Sequence, residues 1–180
     1  MDLRKARQLS KGYVQLYTGD GKGKTTAALG LALRAAGRGL HTYIGQFMKG
    51  QRYGEIDALQ DHVYITLEQY GDPRCIRREE VTAEHVAQAH DGLDRARSAM
   101  LSGDYDLVVL DEINVAIWFG LLTTEEVLHF LDQKPEHVEL VLTGRRAPQV
   151  LIDRADLVTE MRDVKHYYDR GVEARVGIER

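Results

Sequence analysis

The stretch that decides the fold is TGDGKGKTT, Thr18 to Thr26. Its ending, Gly23-Lys24-Thr25, is that of a Walker A phosphate loop, whose pattern places another glycine five residues before Gly23. That position is Thr18; the glycine stands instead at Gly19, and an extra lysine, Lys22, lies inside the loop. The preceding YVQLYTG, Tyr13 to Gly19, is rich in aromatic and β-branched residues and reads as a strand. Beyond Lys24, residues Ala27, Ala28, Leu31, Ala32 and Ala35 share one helical face, and Gly37 and Gly39 stop the helix. Strand, glycine-rich loop and helix in that order are the context a phosphate loop requires.

The chemistry follows from that order. Backbone N–H groups of Gly21, Gly23, Lys24 and Thr25 are expected to converge on phosphate oxygens at a positively polarised helix N-terminus. The Lys24 ammonium would neutralise a polyphosphate, and the Thr25 hydroxyl would face Mg²⁺. Glycines at alternate positions allow close backbone approach. The deviant loops of partitioning ATPases carry a lysine five residues before the invariant one; Gly19 occupies that place, so the loop is not of that kind. Lys22 is either a second charge on the phosphates or a solvated loop lysine.

Further along, strands are expected at His41–Phe47, Val63–Glu68, Asp106–Glu112 and Val138–Gly144, with a last short one in LVTEM. A long helix is expected over about Thr82–Leu101, with Val86, Leu93, Ala96 and Met100 inward. TTEEVLHFLDQ opens on a capping box, Thr123 with Glu126, and APQVLIDRA reads as a short helix. Gly71–Glu80 reads as a long surface loop. Alternating strands and helices imply βαβ units and a mostly parallel sheet. Residues 1–12 are expected to form an arm, mobile or docked on a partner subunit, and 13–180 a single domain.

The chain has 180 residues, 43% of them hydrophobic and 29% charged, as in ordinary soluble domains. A net charge of -4 argues against nucleic-acid binding. A lone cysteine, Cys75, forbids an intrachain disulfide and fits a reducing compartment. The first dozen residues lack the apolar core of a signal peptide, and no apolar run reaches membrane-spanning length, so a cytoplasmic setting is expected. His85 and His90 stand five apart, a poor spacing for a shared metal on one helix face.

The strand LVVLDE ends on Asp111 and Glu112 and resembles a Walker B element, whose carboxylate holds the metal directly or through water. Together with the loop, TGDGKGKTTAALGLALRAAGRG, GQFMKG, VVLDEIN, HVELVLTGRRAPQVLIDRADLVTEM and VKHYYDRGVEARVGIE resemble, in order over nearly the whole chain, the P-loop corrinoid adenosyltransferases. The loop's shifted spacing and the C-terminal motif are specific to that family. The resemblance implies a three-layer α/β P-loop (RecA-like) fold with a mostly parallel central sheet, ATP and a reduced corrinoid (cobalamin or a precursor) as substrates, and Mg²⁺. It implies transfer of the 5′-deoxyadenosyl group of ATP to cobalt(I), with triphosphate expelled and ATP lying reversed along the loop.

Carried over residue by residue, Gly19, Asp20, Gly21, Lys22, Gly23, Lys24, Thr25 and Thr26 hold phosphates. Lys24, Lys22 and Thr25 serve catalysis; Thr25 and Glu112 face the metal, with Asp111 behind them. Arg145 and Lys49 are candidates for nucleotide contact, each with a solvated side chain as the plain alternative. Lys165 and His166 match the C-terminal motif, for packing, dimerisation or chemistry. The resemblance also implies a homodimer, with the arm covering the neighbour's site, and allows for a reductant or flavoprotein partner. Family members carry Gly-Phe-Thr-Trp after the third strand; here YGDPRCIRREE stands there, leaving Tyr70 as the nearby aromatic. Trp118 is expected in a core or dimer contact, with a place near the corrin as the alternative. A conventional P-loop kinase or ATPase and a non-catalytic corrinoid- or nucleotide-binding module are the competing readings.

Overall fold

In the computed structural model, residues 9–179 are described, so most of the expected arm over 1–12 lies outside the described residues. Six strands form one sheet: β1 (Val14–Thr18), β2 (Thr42–Phe47), β3 (Ile65–Tyr70), β4 (Leu107–Asp111), β5 (Glu139–Thr143) and β6 (Leu157–Glu160). Their order is β3-β2-β4-β5-β1-β6, and every pair is parallel. The expectation of a mostly parallel sheet thus sharpens to a wholly parallel one among the described residues.

Parallel strands need helical crossovers, and these cover both faces. Helix α1 (Lys24–Ala36) lies on one face, where Ala28, Ala32 and Ala36 pack with Tyr17, Ile44, Val109 and Val141. The other face carries α3 (Ala83–Leu101), α4 (Ile113–Trp118), α5 (Thr124–Asp132) and α6 (Gln149–Arg154). There Leu93, Ala96, Met100, Phe130 and Leu131 meet Leu16, Val108, Leu110, Leu140 and Leu142. The result is three layers. Strand β4 shows why its sequence is an unbroken apolar run: Leu107 and Val109 face the α1 layer, Val108 and Leu110 the other.

The expected helical face of α1 is rotated by about one position, with Ala36 rather than Ala35 fully buried. The third strand starts two residues later than expected, at Ile65. Two short helices went unread, α2 (Gly54–Leu59) and α4, because six residues are too few to show a 3.6 period. Gly71–Glu80 is irregular apart from a 3-10 turn at Arg78–Glu80. The capping box forms: Thr123 Oγ1 accepts from the Glu126 amide at 3.2 Å, and the Glu126 carboxylate accepts from the Thr123 amide at 2.7 Å. Among the described residues no helix is long and apolar enough to cross a membrane.

Candidate active site

All strands run the same way, so their C-terminal ends form one rim, where open parallel sheets bind ligands. Three of the turns leaving that rim carry non-glycine residues with left-handed backbone: Met48 after β2, Glu112 after β4 and Arg146 after β5, with φ of 62°, 61° and 58°. Such conformations cost free energy and persist where the surrounding structure fixes them. Met48 turns the chain so that Lys49 lies over the end of β4.

The glycine positions in the loop follow from the neighbouring strand. β6 pairs with β1, and the chain beyond it crosses the loop, so that a Cβ on Gly19 would lie 2.3 Å from the Met161 carbonyl oxygen. The shifted glycine is therefore where a backbone crosses the loop. Gly23 is the N-cap of α1 and has φ 114°, which other residues rarely adopt. The amide of Gly21 is engaged with the Met161 carbonyl at 2.7 Å, so of the four donors expected to face phosphate, those of Gly23, Lys24 and Thr25 remain.

Lys24 is nearly buried (6% exposed), and its ammonium donates to the Gly19 and Gly21 carbonyls, both at 2.7 Å. The cation is thus already centred in the loop. Burial pushes its pKa down; Glu112 pulls it back and Arg145 adds to the lowering.

A second cluster forms at the end of β4. Asp111, wholly buried, accepts from Thr25 Oγ1 at 2.9 Å, Thr143 Oγ1 at 2.7 Å, Gln46 Nε2 at 3.2 Å and Lys49 Nζ at 2.8 Å. Sheet order produces this: β4 lies between β2 and β5, Gln46 is Asp111's register partner, and Thr143 ends β5. Thr143 Oγ1 also accepts from the Glu112 amide at 2.8 Å, fixing the left-handed turn that aims Glu112 into the cavity. Burial, then the neighbouring Asp111, raises the Glu112 pKa. For Lys49, burial alone would lower the pKa, but Asp111, with Glu112 and Glu55, outweighs it and the net shift is upward.

Lys24, Thr25, Lys49 and Glu112 share a cavity of about 480 Å³, with Asp111, Gln46 and Thr143 buried behind it. Its floor is residues 21–26; Lys49, Glu112 and Arg145 form its walls. His166, Tyr167, Ile178 and Glu179 close it from the C-terminal side, where Lys22 Nζ reaches the Ile178 carbonyl at 3.5 Å. Arg145 lies 3.9 Å from Asp20, which does not line the cavity. Lys165 is exposed and outside it, whereas His166 is part of its wall.

The network revises several expectations. Asp111, expected behind Thr25 and Glu112, is bonded directly to Thr25 Oγ1. Lys49 is a half-buried partner of Asp111 rather than a solvated lysine. Gln46 and Thr143 were missed, since a glutamine inside a strand and a threonine at its end carry no sequence signal. Tyr70 points inward: it is 9% exposed, bonds the Tyr43 hydroxyl at 2.7 Å and packs on Gly92. Trp118 is not a core residue; it is 37% exposed, with the Arg146 guanidinium 4.3 Å and that of Arg78 5.6 Å from its ring centre.

A parallel sheet, a glycine loop capping α1 and a lysine and carboxylate at adjoining strand ends define the class: a P-loop nucleotide-binding enzyme. Residues 10–180 match the family described as ATP:corrinoid adenosyltransferase BtuR/CobO/CobP. The chain is 38% identical over 183 residues to corrinoid adenosyltransferase CobA of Salmonella typhimurium, covering 99% of this chain and 91% of that one. It is 34% identical over 182 residues to the corrinoid adenosyltransferase of Escherichia coli K12, with the same two coverages, 99% and 91%. An uncharacterized protein of Nostoc, all2391, is 39% identical over 169 residues; the alignment covers 86% of this chain and 45% of that protein. The chain belongs to the ATP:corrinoid adenosyltransferases, transferases that join the adenosyl group of ATP to a corrinoid.

Proposed function

We propose that this chain binds ATP with its triphosphate in the loop and transfers the 5′-deoxyadenosyl group to cobalt(I) of cobalamin or a precursor corrinoid. The cobalt electron pair forms the Co–C5′ bond; the C5′–O bond breaks, and triphosphate leaves with its electrons. The observation that carries this reading is the ring of cations on one cavity: Lys22, Lys24, Lys49 and Arg145. A reduced cobalt centre is already a strong nucleophile and needs no general base. The protein's work is to hold C5′ in line and stabilise charge on the leaving group.

In that work the Lys24 ammonium and the amides of Gly23, Lys24 and Thr25 grip the phosphates. Lys22 and Arg145 add charge from the rim. Mg²⁺ fits the donors present: the Thr25 hydroxyl and the Glu112 carboxylate line the cavity, the Asp111 carboxylate lies directly behind Thr25, and all are hard oxygen ligands. One or two carboxylates with substrate phosphates are the usual Mg²⁺ set. Bound there, the ion would neutralise charge on the triphosphate. The proposal extends to a cytoplasmic homodimer. The exposed single cysteine fits the first part, and exposed Leu157 and Val158 on edge strand β6 fit the second.

The test is anaerobic. Cob(I)alamin and Mg²⁺-ATP are mixed with the protein, and the corrinoid spectrum is followed. Its conversion to a light-sensitive alkylcobalamin supports the proposal. An unchanged corrinoid spectrum while ATP is hydrolysed points to an ordinary ATPase; binding without any turnover points to a carrier or sensor.

A further inference from the structure

The Lys49 ammonium lies where a cation bound by Thr25 and Asp111 would lie. Its Nζ is 2.8 Å from Asp111 Oδ2 and 3.2 Å from Thr25 Oγ1, and the Thr25 hydroxyl is itself 2.9 Å from Asp111 Oδ1. The lysine side chain is 17% exposed and Asp111 1%, so this pair is poorly screened by solvent. Removing the ammonium without replacement would leave a buried carboxylate short of its cation. Lys49 reaches this place from the left-handed turn at Met48, outside the loop, and its side chain also lines the cavity. Tyr53 flanks it, with its ring centre 5.9 Å from Nζ.

We propose that Lys49 is an internal stand-in for the divalent ion, competing with it for Thr25 and Asp111 and turning to the triphosphate when metal and nucleotide enter together. The inference rests on the proposed metal side of the site. One cation occupies the oxygens at any time. Without nucleotide, Lys49 holds Asp111 and Thr25 in position and keeps a bare divalent ion out. With nucleotide, the phosphates offer the ammonium a second anionic partner in the same cavity, and the metal takes the vacated oxygens. Lys49 is thus a positioning residue that makes metal binding depend on nucleotide.

Mn²⁺ alone, followed by the electron paramagnetic resonance signal of the free ion, tests this on the full-length protein without corrinoid. Wild type is expected to bind Mn²⁺ weakly. Lys49→Met, which keeps length and removes charge, is expected to bind it about tenfold more tightly or better, as loss of one adjacent positive charge implies. Lys49→Arg keeps the charge and is expected to stay weak; Lys49→Gln serves if the methionine variant does not fold. In the ATP arm the order reverses: the neutral variants are expected to bind ATP about tenfold more weakly than wild type. Gain of Mn²⁺ binding together with loss of ATP binding supports the competition; a purely structural lysine would lose both. Equal Mn²⁺ affinity in wild type and both neutral variants overturns it. Because no adenosyl transfer is measured, absence of that activity would count against the proposed reaction and leave this result standing.

Discussion

Thr143→Val is the sharpest probe of how the site is held. The substitution preserves shape and removes one hydroxyl at a wholly buried position. Two interactions vanish: the donation to Asp111 Oδ1 at 2.7 Å and the acceptance from the Glu112 amide at 2.8 Å. A bond to a charged group is worth about 1.5–3 kcal/mol and an orphaned donor costs about 1–3 kcal/mol, against a small gain from the added methyl, so roughly 3 kcal/mol is expected. With a urea dependence of about 2–3 kcal/mol per molar, the unfolding midpoint falls by about 1–1.5 M. Thr143→Ser keeps the hydroxyl and is expected to stay close to wild type. Circular dichroism across a urea series reads both. A valine variant within about 0.2 M of wild type would refute the claim that Thr143 organises Asp111 and Glu112.

Three other outcomes are expected. Lys24→Ala should lower kcat by about 10²–10³, as loss of a fixed group facing leaving-group charge does, whereas Lys22→Ala should stay within about fivefold because its charge is exposed; steady-state adenosylation separates them. Glu112→Gln should flatten the pH profile of stability in chelator-treated protein. Burial and Asp111 raise the Glu112 pKa, so the folded state binds its proton more tightly and wild-type stability falls as pH rises through that raised value. The variant should therefore melt higher than wild type on the alkaline side yet bind Mn²⁺ less well, and thermal melts between about pH 4.5 and 8 check the sign. Thr123→Ala should cost about 1 kcal/mol by breaking the cap of α5, lowering Tm by about 2–4 °C with kcat unchanged.

Much of the fold was legible because its signals are local. The strand before Gly19, the helix after Lys24 and the LVVLDE run each declare themselves within a dozen residues, and alternation of such units implies a parallel sheet. The capping box at Thr123 was legible for the same reason. The Asp111 cluster was not, because it depends on strand order. Gln46 and Thr143 reach Asp111 only because β2 and β5 flank β4, and nothing near either residue says so. Lys49 was ambiguous for a related reason: whether it is solvated or paired depends on the left-handed turn at Met48, an unusual conformation for methionine. Gly19 could be seen as displaced, but the cause, the Met161 carbonyl pressed against the loop, lies at the far end of the chain. Of the two contacts expected for Trp118, the core is excluded, since its ring lies at the surface beside two guanidinium groups.

The central claim is that the loop grips triphosphate as a leaving group rather than transferring a phosphoryl group. Phosphorus-31 nuclear magnetic resonance of a single anaerobic turnover, with protein in excess over cob(I)alamin and Mg²⁺-ATP present, tests it most directly. The account predicts intact tripolyphosphate, one for each adenosylcobalamin formed. Orthophosphate with ADP, or diphosphate with AMP, appearing as the primary products in step with turnover would contradict it.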